Sequence, residues 1–490
     1  MGWVGCDIEG FARARPAAAA ILAGDRVVSW RDFHCGIAGA AAAYHARGIG
    51  PGRVVSLVLR DRPQDLMALF ALLRLGAPVL TLDPGEPAAL GRSLAERAGA
   101  AFFVGDPGDP APPGTVAVAL GDFAPGDGGL LPPPPGPDRV AFVNRSSGTT
   151  QGVPKLACQS HGLLAWRRGS LGRRLPVGVD DRYLALVSIA FAYGRYSALR
   201  HLEAGAAVVL PAGLQSVAGL MDLARAARVT ATSVTPLHLR DLARSGAPGP
   251  ILPGVRIHCS TAALSDAELR TIRARVSREI YVGYGSNEVG TVAMAVPDDL
   301  DRKPGTVGRP LAGIAAEAAA ADGTPCPPGR VGELRFRHPA FAPDYLDAAV
   351  GATSRFAGGW FHPGDLGLVD EDGYVFLRGR IDDVINVGGR KLHPGDAEAA
   401  LERHPAVVEA AVVGLDDPRR GSVAVAAVVL REPCAPGRLL RHCAAVGAGP
   451  APGRVVVMDA LPRTPIGKID RRALAATLAA RLHREGGAPG

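Results

Sequence analysis

The chain has 490 residues, of which 47% are hydrophobic and 21% charged, with a formal net charge of +7 and a pI near 9.2. That composition excludes a disordered chain and sets a length prior of about three structural units. The arginines are dispersed and seldom interleaved with aromatics, which argues against a nucleic-acid surface, and no stretch is long enough to span a membrane.

Asp7 and Glu9 precede the short apolar run Ala17–Ala23, the wrong order of charges for a signal peptide. The seven cysteines are odd in number and free of any CxxC pair, so neither a disulfide framework nor a zinc site is indicated. Both observations point to the reducing cytoplasm. From Val27 to Pro297 short β-branched runs alternate with Ala/Leu-rich helical stretches, the pattern of a mainly parallel sheet covered by helices. Arg53–Leu59 reads as a buried strand, Pro63–Leu75 as a helix and Pro78–Leu82 as the next strand. Asp106–Pro137, crowded with Pro and Gly, reads as a long surface connection. Further strands are predicted at Val140–Asn144, Tyr183–Ser188, Ala206–Leu210, Thr230–Thr235, Val255–Cys259 and Glu279–Gly283. Ligands in such sheets sit beyond the carboxyl ends of the strands. After Pro297 the spacing suggests antiparallel strands, and a differently patterned region opens at Gly379–Asp383. Helix Pro394–Arg403 and strands at Val407–Val413 and Val423–Leu430 suffice for a small α+β domain. The expected division is 1–380 and 381–490.

Lysine is scarce. Of 54 basic residues only Lys155, Lys303, Lys391 and Lys468 are lysines, and all but Lys303 lie in a Gly- or Pro-punctuated motif. A compact ammonium with rotatable donors does work that a planar guanidinium cannot, so lysine position is a functional signal here. The first motif is Ser146-Ser147-Gly148-Thr149-Thr150, continuing through Gln151 and Gly152 to Lys155. Its glycines let backbone N–H groups approach an anion while hydroxyls donate and the lysine adds charge, as a phosphate loop requires. It has no GK[ST], so it is not a Walker loop. The second, Gly283-Tyr284-Gly285-Ser286-Asn287-Glu288, follows a predicted strand; its carboxylate suits magnesium and its tyrosine suits packing on a purine. In the third, Asp365 lies between glycine-bearing turns and matches a ribose diol, because one ionised carboxylate accepts from two neighbouring hydroxyls. Arg380 follows, heading a charged joint with Asp382 and Asp383 that would serve as a hinge. Last, Pro462–Asp470 projects Lys468 from a turn. The mild basic excess suits an acidic partner: a nucleotide, coenzyme A or an acidic carrier protein.

In this order and at these separations the motifs resemble the AMP-forming ligase superfamily of acyl-CoA synthetases, nonribosomal adenylation domains and luciferases. Val28–Phe33 and Leu72–Pro78 are similar to its upstream segments, so that the resemblance covers nearly the whole chain. It implies an α/β fold with a large N-terminal domain of parallel-sheet subdomains and a small β-barrel-like subdomain, followed by a small mobile C-terminal α+β domain. The implied activity is formation of an acyl-AMP from a carboxylic acid and ATP with magnesium, then transfer to the phosphopantetheine thiol of coenzyme A or of an acyl or peptidyl carrier protein. By position, Ser146 to Lys155 would hold phosphates. Tyr284, Gly285 and Ser286, with Thr261 and Ala262, would line the nucleotide, and Glu288 would bind magnesium. Asp365 and Arg380 would hold the ribose, and Lys468 would bridge the acid and the α-phosphate until rotation at Asp382 removes it. Gly388 and Gly389 would lie near a pantetheine tunnel.

Three departures from the family pattern stand out: Gln151 is one residue too many in the phosphate loop, Asn287 replaces a threonine, and Ser260-Thr261-Ala262 replaces a Gly-Gly-Ala stretch. In amino-acid-activating members an aspartate for the substrate amine stands where this chain has Phe191. An aromatic ring does not pair with an ammonium as a carboxylate does, which disfavours an amino acid. Phe191-Ala192-Tyr193-Gly194 is instead similar to benzoate-type ligases, so the expected substrate pocket comprises Phe191, Tyr193, Gly283 and Arg195, and the expected acid is aromatic or compact. Arg195 would meet a polar ring substituent or, more simply, face outward. The alternatives are a freestanding adenylation domain that loads an amino acid onto a carrier protein, and a nucleotide-binding regulator with decayed catalysis, against which Glu288, Asp365 and Lys468 argue.

Overall fold

The structure, a computed structural model, describes residues 3–121, 131–150, 153–211, 213, 216–262, 264–341, 355–387, 390–417, 421–446, 450–464 and 468–486. Two sheets form its α/β body. The larger has nine strands, of which Ala19–Ala23, Ala207–Leu210, Arg182–Leu184, Ala231–Val234, Arg256–Cys259 and Ile280–Ser286 run parallel as neighbours in that order. Antiparallel strands close its two ends, Arg26–Ser29 on one side and Gly290–Ala295 with Arg309–Pro310 on the other. The second sheet has six strands, ordered Val116–Ala119, Phe102–Gly105, Val55–Val58, Val79–Leu82, Val140–Thr150, Val153–Ser160, and only the last pair is antiparallel.

Burial on both faces explains the unbroken apolar runs of the inner strands. All four residues of Val55–Val58, Ala207–Leu210 and Ala231–Val234 are buried. Helix Pro63–Arg74 is likewise buried almost all round, with Leu66, Leu69, Phe70, Leu72 and Leu73 in the largest core. Each such side chain contributes about 1.5–3 kcal/mol on burial. Pro63 occupies the first helical turn, and the buried Asp65 carboxylate accepts from Arg62 N at 3.0 Å and Arg60 N at 3.1 Å, satisfying donors that the helix start cannot.

Three sequence expectations are corrected. The segment Asp106–Pro137 is not connection throughout, because Val116–Ala119 adds a parallel edge strand to Phe102–Gly105; its short Val-Ala-Val-Ala run is obscured by the Pro and Gly around it, and only one of its four residues is buried. The strand expected to stop at Asn144 continues to Thr150, with Thr149 and Thr150 paired to Pro154 and Val153 beyond a register shift that begins after Arg145. The strand expected to end at Gly283 runs on through Tyr284 to Ser286, paired antiparallel with Gly290–Ala295. Gly285 is required there by close approach: a Cβ would lie 2.0 Å from the Gly290 carbonyl oxygen.

An antiparallel sheet stands where the β-barrel-like subdomain is expected, built from Ala315–Ala319, Gly332–Arg337, Phe356–Ala357, Trp360–Phe361, Asp365–Val369 and Val375–Arg380. Beyond it the hairpin Ile385–Val387/Arg390–Leu392 leads to a three-stranded sheet, Val407–Asp417, Gly421–Leu430 and Arg454–Val457. Helices Pro394–Glu402, Pro436–Val446 and Arg471–Gly486 accompany these strands, and the segment has apolar cores of its own. Asp382 is exposed, with Oδ2 3.6 Å from Arg380, while Asp383 lies 3.4 Å from Arg471. Each aspartate at the joint is thus held by an arginine on a different side of it.

Helix Pro394–Glu402 meets the body at an acidic contact. Arg240 pairs with Glu268 at 2.6 Å, and Glu402 lies within the field of both, beside Glu398. Burial, then the like charges of Glu268 and Glu398, push the Glu402 carboxyl up to about 8, against the opposing effects of the Ala410 N–H and Arg240. A carboxyl raised on folding binds an extra proton in the folded state, so stability is full below its unfolded value of about 4.5 and falls as pH rises towards about 8. Glu402→Gln removes that dependence. Thermal melts of the two proteins should coincide at about pH 5, with the variant a few degrees more stable at about pH 8; parallel pH profiles would contradict this assignment.

Candidate active site

A large cavity lies between the carboxyl ends of the nine-stranded sheet and the C-terminal segment. One cavity is lined by Phe191, Tyr193, Arg195, Ser260, Thr261, Ala262, Gly283–Glu288, Asp365, Arg380 and Lys468. The strand order accounts for this: Arg256–Cys259 and Ile280–Ser286 are parallel neighbours, so the residues after both emerge at the same edge. Lys155 lies in strand Val153–Ser160 and is not among the lining residues, and the exposed Lys391 stands on Arg390–Leu392. Gln151, Gly152, Gly388 and Gly389 fall outside the described residues. Lys303, the lysine outside any motif, pairs with Asp370 at 2.9 Å and Asp372 at 2.6 Å, a structural tie.

Asp365 is the charge around which one side of the cavity is arranged. It opens its strand directly opposite Arg380, the last residue of Val375–Arg380, and the cross-strand register brings the guanidinium within 3.0 Å of Oδ1. The same guanidinium donates to the Pro363 carbonyl at 2.9 Å, which fixes its orientation. Tyr284 reaches across from the large sheet and donates its hydroxyl to Asp365 Oδ2 at 2.5 Å. Its ring packs at 5.8 Å on Phe336, and burial followed by the Asp365 charge raises its hydroxyl well above the ordinary value, so it stays a donor. Each carboxylate oxygen retains a further lone pair.

Lys468 enters from the C-terminal segment. Its backbone is pinned by Thr464, whose N–H donates to Lys468 O at 2.8 Å and whose hydroxyl accepts from Lys468 N at 3.2 Å. Burial holds its ammonium below the usual lysine range, with Asp365 acting in the opposite sense and Arg380 reinforcing the depression. The amine therefore shares the electrostatic environment of the Asp365–Arg380 pair although it lies far away in the chain.

Glu288 is 4% exposed, and Arg167 donates to its backbone carbonyl at 2.8 Å and to that of Val289 at 2.8 Å. Burial lowers Arg167 to about 10, with Tyr196 and Glu288 opposing. Among the described residues no cluster of three or more metal-ligating side chains occurs. A single buried carboxylate suits magnesium, which keeps waters and shares its coordination with substrate phosphates, and does not suit a cation needing a protein cage. Asn287 spends its side chain differently from the expected phosphate donor: Nδ2 donates to the Arg145 carbonyl at 2.8 Å, and its own carbonyl accepts from Gln159. At Thr261, where a glycine was expected, φ is +91°, a left-handed conformation that a β-branched residue holds only when its surroundings impose it. Thr261 Oγ1 and Ser286 Oγ are buried without a hydrogen-bond partner among the described residues, and both residues line the cavity.

The outward-facing reading of Arg195 is overturned. It is 1% exposed, donating to Thr81 Oγ1 at 2.8 Å, the Ala190 carbonyl at 3.0 Å and Asn144 Oδ1 at 2.7 Å, with its guanidinium carbon 4.9 Å from the Phe142 ring centroid. Helical spacing did not reveal this, because the partners come from the other sheet. Sequence reading also missed Arg167 and His258; the one available signal for His258 was a polar side chain between the apolar Ile257 and Cys259.

This arrangement gathers the Asp365–Arg380 pair, the buried Glu288 carboxylate and a lysine from the C-terminal segment around one cavity. The chain belongs to the AMP-binding enzyme family, matching it over residues 8–346, and matches the AMP-binding enzyme C-terminal domain over residues 396–468. It is an AMP-forming acid–thiol ligase of the adenylate-forming superfamily. It is 32% identical over 454 residues to a sulfoacetate–CoA ligase of Cupriavidus necator, covering 88% of each chain. It is 31% identical to a salicyl-AMP ligase / salicyl-S-ArCP synthetase of Mycobacterium tuberculosis, over 89% of this chain and 82% of that one. The fold superposes on ATP-bound MatB from Rhodopseudomonas palustris with a TM-score of 0.84 at 23% identity, over 97% of this chain and 99% of that one. No described helix is long and apolar enough to cross a membrane.

Arg195→Leu leaves Asn144 Oδ1 and the Ala190 carbonyl without their donor, so urea denaturation should report a loss of roughly 3 kcal/mol. A loss under about 1 kcal/mol would show that the guanidinium is dispensable to the packing.

Proposed function

We propose that the enzyme activates an aromatic carboxylic acid in the cytoplasm, with ATP and magnesium, and passes the acyl group to a phosphopantetheine thiol. The observation that carries this reading is the buried Lys468 amine in the field of Asp365 and Arg380. The acid's carboxylate oxygen attacks the α-phosphorus, the bond to the β-phosphate oxygen breaks, and pyrophosphate leaves; a thiolate then attacks the acyl carbon and AMP departs. In the first step Lys468 bridges the carboxylate and the α-phosphate and offsets the charge that builds between two anions. Asp365, fixed by Tyr284 and Arg380, receives the ribose hydroxyls. Tyr284, Gly285, Ser286, Thr261 and Ala262 border the nucleotide, and strand Val140–Thr150 with Lys155 serves the phosphates. Glu288 would hold magnesium, which neutralises phosphate charge.

Residues 1–380 act as the core and 381–490 as the mobile part, turning at Asp382, whose exposure leaves its charge hydrated in either arrangement. The aromatic preference rests on Phe191 and on Tyr193, whose hydroxyl donates to the His258 carbonyl at 2.7 Å and so presents its ring to the cavity. Phe191, standing where a carboxylate would receive an amine, disfavours amino acids. The acceptor is coenzyme A or a carrier protein, which parallel assays with each thiol distinguish.

ATP- and magnesium-dependent pyrophosphate release should be greatest with aromatic acids; turnover of amino acids alone would overturn the preference. Lys468→Ala should lower adenylation by roughly 100-fold or more while largely sparing thiol transfer from a supplied acyl-AMP. Equal losses in both half-reactions would contradict the division of labour.

A further inference from the structure

One cavity wall is formed where Arg256–Cys259 and Ile280–Ser286 lie side by side. His258 is aligned with Tyr281 in that parallel pair, and side chains two apart share a face, so His258, Tyr281 and Gly283 point the same way. Glycine at 283 makes room for the imidazole: a Cβ there would stand 2.5 Å from His258 Nε2. The side chain is 5% exposed, and Nε2 has no hydrogen-bond partner among the described residues. The neighbouring hydroxyls are engaged by the backbone. Tyr193 Oη donates to the His258 carbonyl at 2.7 Å, its ring set edge-on to the imidazole at 5.2 Å, and Ser260 Oγ donates to the Gly283 carbonyl at 2.8 Å.

A buried polar atom without a partner costs about 1–3 kcal/mol, and native proteins keep few of them. One that lines a ligand cavity has a natural partner in the ligand. Burial, reinforced by Arg200, lowers the imidazole to about 3, so the ring is neutral at working pH. A neutral ring nitrogen donates in one tautomer and accepts in the other, and a hydroxyl can answer either. A charged substituent would be poorly received between an uncharged imidazole and the Tyr193 ring.

We infer that His258 is a specificity-determining residue whose Nε2 hydrogen-bonds a hydroxyl group on the acyl moiety, so that the enzyme's acid is hydroxylated. This rests on the reading of the Phe191–Tyr193 end of the cavity as the acyl pocket. Discrimination follows from the energetics: an analogue lacking the hydroxyl buries the nitrogen unpaired, and a site built for such a bond rejects that analogue more strongly than an apolar pocket rejects an added group.

The test is pyrophosphate release by the full-length enzyme over matched acids: benzoate against its three monohydroxy derivatives, cinnamate against hydroxycinnamates, butyrate against 3-hydroxybutyrate. In any pair that turns over, one hydroxylated isomer should be preferred by roughly 10- to 100-fold in kcat/KM. His258→Leu should reduce that preference to within about threefold, chiefly by weakening the hydroxylated acid, and His258→Gln should restore part of it. Should the leucine variant fail to fold, Gly283→Ala, whose methyl group displaces Nε2, is expected to lower the same ratio. Equal use of hydroxylated and unsubstituted acids by the wild type, or a preference that survives in His258→Leu, overturns the inference. Turnover confined to the aliphatic pair refutes the aromatic reading while the ratio within that pair still decides the role of His258. An enzyme that uses none of these acids refutes both.

Discussion

The buried guanidinium of Arg195 ties the two sheets of the body together. Arg195 sits on the helix Ala192–Glu203 of the nine-stranded sheet, and its donors reach Thr81 and Asn144 on strands of the six-stranded one. Asn144 passes the connection on to Gln159 at 2.8 Å and to Tyr196 at 2.6 Å, and Gln159 donates to the Asn287 carbonyl, just beyond strand Ile280–Ser286. Burial lowers Arg195, with Tyr196 opposing, and backbone carbonyls and the faces of Phe142 and Tyr196 surround the charge. Its two terminal nitrogens carry the connections, to Thr81, the Ala190 carbonyl and Asn144, while Nε is buried without a partner among the described residues.

On that frame the site uses opposed charges that are all partly satisfied. Asp365 is held from two directions, by the strand partner Arg380 and by Tyr284 from another sheet, so its orientation is set before any ligand arrives. Lys468 is less comfortable: burial works against its charge, and Asp365 only partly offsets this. An anion bound between them would relieve the mismatch. The Glu402 contact has a similar tension, with three carboxylates gathered near one arginine.

The pattern of lysine use has a mixed outcome in the structure. Lys468 reaches the cavity, Lys391 is exposed, and Lys303 serves an ordinary ion pair with Asp370 and Asp372. Scarcity marked where to look; it did not say which ammonium would be buried. Asn287 is a comparable case, since its amide is committed to the Arg145 carbonyl and ties two sheets together.

The local pattern by itself determined the alternation of strands and helices, the order of the motifs and the superfamily, because apolar periodicity and Gly/Pro punctuation are properties of short stretches of chain. Strand ends were less legible: Val140–Thr150 and Ile280–Ser286 both run past their apolar residues, since ladder pairing with a neighbour, not side-chain polarity, decides where they stop. The edge strand Val116–Ala119 escaped notice for another reason: it is four residues long and set among prolines and glycines. Only the tertiary structure decided that Arg195 is a buried clamp, that Tyr284 holds Asp365, that Lys468 lies in the field of that carboxylate and that His258 turns an unpaired nitrogen towards Gly283. Each of these depends on side chains from different sheets meeting, and a one-dimensional pattern carries no record of which strands become neighbours or which partner a buried polar atom will find.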